Sequence, residues 1–126
     1  MKKVYIFIFC IISCTSDFPK NPDINNQSRF PRLSSNENGD VFMSWFEQID
    51  SVEWSIKSSI FSDNQWTDPK VVSTSKSYFI NWADFPSVHR INQDTLVAHW
   101  LEKSGAGTYD YDVHLSFSFN KGESWS

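Results

Sequence analysis

Residues 31–47 read PRLSSNENGDVFMSWFE, and residues 86–102 read PSVHRINQDTLVAHWLE. Laid over one another at a constant offset of 55, without gaps, Pro31 meets Pro86, Leu33 meets Val88 and Val41 meets Leu96. Trp45 then meets Trp100, and Glu47 meets Glu102. Self-similarity at a period near 50 residues points to solenoids or propellers, and the local pattern chooses between them. Here that pattern is β. Segments 40–47 and 95–102 are rich in Val, Leu, Phe and Trp, and each follows a turn-like cluster of Asn, Gly and Asp. Tyr111, Val113, Leu115, Phe117 and Phe119 alternate with Asp112, His114, Ser116 and Ser118, the period of a strand with one well-buried face.

Working outward, each unit resolves into strand A (about 30–35 and 85–91), strand B (40–47 and 95–102) and strand C (52–61 and 110–119). A fourth strand follows in the first unit, about 70–74, and four strands per repeat is the blade of a β-propeller. The expectation is therefore an all-β chain with two blades, about 29–76 and 82–126, the second without its last strand. Propellers close with about four to eight blades, so this chain is expected to be the N-terminal part of one.

Before the repeats lies a different kind of sequence. Lys2 and Lys3 precede a nine-residue run, VYIFIFCII at 4–12, which as a helix would reach only about 14 Å and could not span a hydrocarbon core of about 30 Å. Its length and flanks fit a cleavable secretory signal over 1–13. The run ends in Ile11-Ile12-Ser13-Cys14, which resembles the bacterial lipobox, and that resemblance implies that Cys14 becomes the acylated first residue of an exported lipoprotein. The other cysteine, Cys10, falls inside the removed segment, so the mature domain keeps no thiol for a disulfide. It must hold together by burial, and an aromatic content of 17% provides the side chains for that. Residues 14–28 are polar and read as a flexible tether between lipid and domain. Cleavage after residue 13 removes two lysines and no acid, moving the formal charge from −4 to −6. With three arginines in all and no basic stripe, nucleic acid is excluded as a partner, and the lipid anchor is the only expected membrane contact.

The sharpest motif closes the chain. Ser118-Phe119-Asn120-Lys121-Gly122-Glu123-Ser124-Trp125 resembles the Asp box, Ser-x-Asp-x-Gly-x-Thr-Trp, with Asn for Asp and Ser for Thr. Both exchanges keep the physics: Asn120 can bond the backbone just beyond it, Gly122 supplies a positive φ, and Trp125 covers the hairpin end. Ser62-Asp63-Asn64-Gln65-Trp66 is a shortened relative without the glycine. Such boxes join the third and fourth strands of blades in sialidases (neuraminidases), sortilin-type receptors, xyloglucanases and photosystem assembly factors. They are structural there, so the resemblance, which covers about 29–126, implies fold more than function.

Asp boxes are most familiar from sialidases, which clamp the substrate carboxylate with three arginines and use an Asp as acid/base and a Tyr–Glu pair as nucleophile. The first of those arginines opens an Arg-Ile-Pro-x-Leu motif. Arg29-Phe30-Pro31-Arg32-Leu33 is similar, which makes Arg29 the candidate carboxylate clamp, since a guanidinium can pair two oxygens at once. The resemblance implies Asp50, in the loop after Phe46-Glu47-Gln48-Ile49, as the candidate acid/base, with its pKa raised by neighbouring acids. It implies Asp84, in Trp82-Ala83-Asp84-Phe85-Pro86, as a contact to substrate polar groups. The remaining arginines and the Tyr–Glu pair would come from later blades, so the chain by itself is expected not to turn substrate over.

Weaker constellations carry less. His89, His99 and His114 fall on strands A, B and C of one unit and read as structural histidines rather than metal ligands. Ser104-Gly105-Ala106-Gly107-Thr108 has the glycines of a phosphate loop but neither the Gly-Lys-Ser/Thr nor a following helix, and reads as a hairpin turn. No cofactor is expected. Two functions follow from the resemblance: an exo-α-sialidase-like hydrolase acting on terminal sialic acids, or a non-catalytic propeller that binds glycans or partner proteins at the cell surface.

Overall fold

The computed structural model describes residues 20–126. The export segment 1–13, Cys14 and the first part of the tether lie outside the described residues. Eight strands and no helix form the described chain: β1 (Ser28–Ser35), β2 (Val41–Gln48), β3 (Trp54–Ser62), β4 (Gln65–Trp66), β5 (Lys70–Ser75), β6 (Ser87–Arg90), β7 (Leu96–Lys103) and β8 (Tyr111–Ser118). They make two antiparallel sheets. In the first, β1, β2 and β3 lie in order, and β4 and β5 both pair along the far edge of β3. The second runs β6, β7, β8. The 55-residue offset seen in the sequence holds from Val41–Gln48 to Leu96–Lys103, end to end.

Alternation decides what is buried. Phe42, Ser44 and Phe46 on β2 sit directly across from Ile60, Ser58 and Ile56 on β3, and this face turns toward the second sheet. There it meets Val88 of β6 and Leu96, Ala98 and Trp100 of β7 in one core, which Val72 and Tyr78 complete. Phe46 and Tyr78 pack with ring centroids 5.2 Å apart, and Tyr78 and Trp100 meet edge to face at 6.5 Å. Burial pushes the Tyr78 hydroxyl far above its usual range, so it stays neutral.

The alternation along β8 predicts that its odd positions are well buried, yet Val113 and Leu115 are more than 60% exposed, whereas Ser116 and Ser118 are buried. Register is the cause. Ser116 and Ser118 lie opposite Ala98 and Leu96, so the serine face is the one turned to the core, and the apolar face turns away from it. Trp100 lies in the inter-sheet core at 7% exposure. The tether also ends earlier than expected. β1 starts at Ser28, Pro22 is buried, and residues 20–23 face Gln65–Asp68 across a cleft of about 350 Å³.

Side chains rather than a shared ladder join the two sheets. Ser34 Oγ donates to the Val88 carbonyl at 2.7 Å, and the buried Ser44 Oγ donates to the Pro86 carbonyl at 2.7 Å. Arg90 pairs with Asp40 at 2.7 Å while its guanidinium lies 5.2 Å over the Phe42 ring, and Lys70 pairs with Glu123. The repeated Trp-x-Glu also has a physical basis. Residues two apart share a strand face, so the Trp100 indole N–H reaches Glu102 at 3.0 Å and that of Trp45 reaches Glu47 at 3.5 Å. Partial burial raises the Glu47 pKa, but Lys57 at 2.5 Å and the indole outweigh it, and the net direction is down.

Residues 118–125 form a compact turn. The fully buried Ser118 Oγ accepts from Gly122 N at 2.8 Å, and Asn120 Oδ1 accepts from Ser124 N at 3.0 Å. Gly122 has φ +86°, and Trp125 packs against the inter-sheet core. The shortened relative reaches the same end without glycine, because Asp63 and Asn64 take φ of 50° and 63° as a two-residue hairpin turn. Both turns then close with the same three-bond clasp. In the first sheet Thr67 N donates to Ile60 O (2.8 Å), Ser59 Oγ to Thr67 O (2.6 Å) and Ile60 N to Thr67 Oγ1 (3.0 Å). In the second, Ser126 N donates to Phe117 O (3.0 Å), Ser116 Oγ to Ser126 O (2.7 Å) and Phe117 N to Ser126 Oγ (3.2 Å).

Candidate functional site

Arg29, Asp50 and Asp84 come to the same end of the two sheets. Arg29 stands opposite Phe46 near the start of β1, and Asp50 lies in the turn that follows β2. Asp84 is carried by the loop before β6, and contact between Phe30 and Phe85, centroids 5.7 Å apart, holds that loop beside the start of β1. Among the described residues no hydrogen bond or ion pair joins the three carriers of charge to one another.

The backbone at Arg29 is irregular. Arg29 pairs with Phe46 and Arg32 with Ser44, so β1 holds one extra residue and bulges, and Phe30 within the bulge has φ +54°. A bulky residue in the left-handed region is strained by roughly 1–3 kcal/mol, and bulges re-aim the side chains beside them. Arg29 is thereby exposed, with its guanidinium 5.4 Å above the Trp54 ring. It makes no ion pair among the described residues. A stacked guanidinium keeps its edge donors free for a planar anion.

Asp50 is fully exposed, and its Oδ1 accepts from both Val52 N and Glu53 N at 2.8 Å. Those two bonds lower its pKa, the reverse of the raised value expected of a proton donor. Asp50 is thus an ionised turn former. Asp84 is exposed, and its backbone N–H, like that of Ala83, donates to Asn81 Oδ1 (3.0 and 2.8 Å). Asn81 fixes the loop as an Asx turn, a role legible in hindsight from Asn two and three residues before the bonded amides.

The hairpin at 104–110 lies beyond the same end of β7. Asp110 Oδ2 accepts from Gly107 N at 2.8 Å and fills the hollow of the loop. A Cβ on Gly105 or Gly107 would stand 2.5 or 2.7 Å from that oxygen, so the two glycines are there for closeness rather than for phosphate. Replacing Gly107 with Ala is expected to cost about 1–3 kcal/mol as overpacking, read as a lowered urea midpoint. A midpoint unchanged from the parent would mean that the loop opens freely.

No family model, curated protein or solved structure matches the chain. The chemistry of this end therefore carries the functional argument alone. Among the described residues no group of three or more His, Cys, Asp or Glu is arranged to hold a metal ion. His114 stacks on Trp100 at 5.9 Å, and burial, Arg32 and His99 lower the pKa of His89. The residues that sequence reasoning missed are Trp54, which gives no signal in the repeat, and the strained Phe30, whose φ no residue type announces.

Proposed function

We propose that the chain supplies two blades of a sialidase-type β-propeller and that the end bearing Arg29, Asp50 and Asp84 binds a glycan through a carboxylate-bearing sugar such as terminal sialic acid. The observation that carries this reading is Arg29: bulged out, stacked on Trp54 and free of any ion pair among the described residues. Binding fits this end better than hydrolysis. A carboxylate fixed in its ionised form by two backbone N–H groups accepts bonds from sugar hydroxyls, whereas a glycosidic acid must hold a proton near neutrality. In the same reading the protein is exported and anchored through lipid on Cys14. One acyl chain binds reversibly and two anchor stably, so Cys14→Ala should release the protein from the membrane fraction or leave it unprocessed, and an unchanged mass and fractionation would defeat the anchor.

The decisive test is a calorimetric titration of the 126-residue chain with 3′-sialyllactose and with lactose. Charge-assisted bonds to a carboxylate are worth about 1.5–3 kcal/mol, so Arg29→Met should weaken sialyllactose binding roughly tenfold to a hundredfold. Arg29→Lys should rescue little, because a lysine cannot reproduce the planar fork. Equal binding of lactose and sialyllactose, or an Arg29→Met protein that binds like the parent, defeats the proposal. Turnover of a fluorogenic sialoside that disappears in Asp50→Ala would restore the hydrolase in its place.

A further inference from the structure

The end of the sheets away from Arg29 has a cavity of its own. It holds about 240 Å³ and draws its walls from both sheets: Ser58, Ile60 and Lys70 from the first, Arg90 and Leu96 from the second, and Lys121 to Glu123 from the turn after β8. Its cations arrive from three separate places. Lys70 opens β5 opposite Ser58, and Arg90 closes β6 opposite Leu96. Lys121 has φ +60° and donates its backbone N–H to Asp94 O at 2.9 Å, which fixes the turn that carries it. The chain has eleven lysines and arginines and a net charge of −4, yet this one cavity gathers three of the eleven with a single acid, Glu123.

Two of those cations hold their acids weakly. Lys121 meets Asp94 at 3.4 Å with both side chains more than half exposed, and Lys70 pairs with a Glu123 that is 65% exposed. Exposed pairs of this kind contribute little and exchange easily for a better acceptor. Arg90 is different. It bonds Asp40 through Nη1, while its Nε is buried and has no acceptor among the described residues. A buried donor left in that state marks a place where water or an ion is held. Neither Asp40 nor Asp94 lines the cavity.

Size and chemistry narrow the ligand. At about 30 Å³ per water, the space takes a tetrahedral oxyanion with a small substituent, and is too small for a nucleotide or a glycan chain. The three cations oppose a metal ion. Lysines hold phosphate as point charges, and a guanidinium can bond two of its oxygens. Ser58 and Ser62 add hydroxyl groups, and Ile60 and Leu96 supply apolar wall for a substituent.

We propose that this cavity binds a tetrahedral oxyanion, a phosphate or sulfate group, between Lys70, Arg90 and Lys121. The site lies at the opposite end from Arg29 and does not depend on the glycan reading. Calorimetry and thermal melting of the 126-residue chain in inorganic phosphate, inorganic sulfate and chloride at matched ionic strength test it. Phosphate and sulfate should raise the melting temperature saturably, because a ligand that binds only the folded chain stabilises it by mass action. Chloride should not. Lys70→Met and Lys121→Met should each weaken phosphate binding roughly fivefold to tenfold, toward the low end for a charge-assisted bond because both groups are exposed. Glu123→Gln releases Lys70 and removes the opposing charge, so it should tighten binding by a similar factor. A merely structural role for these residues would not give opposite signs. Phenyl phosphate binding tighter than inorganic phosphate assigns the site to an ester whose organic part lies on Ile60 and Leu96, and equal binding assigns it to the free ion. Stabilisation by chloride equal to that by phosphate, or lysine variants that bind like the parent, overturns the site. Phosphate binding that Arg29→Met abolishes would place the anion at the other end and also overturn it.

Discussion

Replacing Phe46 with alanine is expected to lower the unfolding free energy by about 3–5 kcal/mol, the usual cost of emptying an aromatic site in a close-packed core. Phe46 is 1% exposed, touches Tyr78 at 5.2 Å and belongs to the cluster through which the two sheets meet. Its loss removes buried area and leaves a void beside a second ring, Tyr78, whose hydroxyl is already deep in the core. Small domains are stable by only about 5–15 kcal/mol, so the variant should be close to unfolded at physiological temperature. Phe46→Leu, which keeps most of the volume, should cost clearly less. Urea denaturation followed by tryptophan fluorescence measures both, and a loss below about 1 kcal/mol for the alanine variant would mean that the sheets do not depend on this core.

The second large effect is expected at Gly122. Its φ is +86°, and a Cβ there would meet Leu96 Cδ1 at 3.3 Å. Valine combines two penalties: a β-branched side chain in the left-handed region, and crowding against a leucine that is itself 2% exposed. Together they should cost about 2–4 kcal/mol. The two can be separated. Gly122→Asn tolerates the backbone but not the crowding, so its loss should be intermediate. An Asn variant as damaged as the valine one would place the whole effect on the contact with Leu96. A valine variant that melts with the parent would show that the turn can rearrange.

How far the sequence could be read depends on which signals are local. The strand positions were legible because period-two alternation and Asn-rich turns are local, and the second strands kept the 55-residue offset that the duplicated Trp and Glu imply. The Gly122 turn was legible because few residues other than glycine adopt that φ cheaply. The outward face of β8 was not. Alternation identifies two faces and cannot say which one meets the core, and only the pairing of Ser118 with Leu96 decides it. Nor was the segment at 77–79 legible as a partner for β7, because it holds the sheet through so few bonds.

The candidate site follows the same rule. A resemblance points to Arg29 and Asp84, but their meeting at one end comes from a long-range contact, Phe30 to Phe85, that no local pattern encodes. The ionised state of Asp50 depends on two amides in its own turn, a geometry that the residue order suggests and only coordinates make visible. The cation stacked on Trp54 depends on a bulge, which inserts one residue without changing composition.

The two ends of the sheets differ in what they allow to change. At one end the connections from β1 to β2 and from β6 to β7 keep the 55-residue spacing and repeat the same scheme: Asn36 N bonds Asp40 O at 3.2 Å, and Ile91 N bonds Thr95 O at 2.9 Å. At the other end the connections after β2 and β7 differ in length, residues 49–53 against 104–110. A duplicated unit built this way separates inheritance from invention. The invariant turns preserve the register on which every core contact depends. Insertions at the opposite rim can alter what the molecule recognises without shifting any buried side chain to the wrong face.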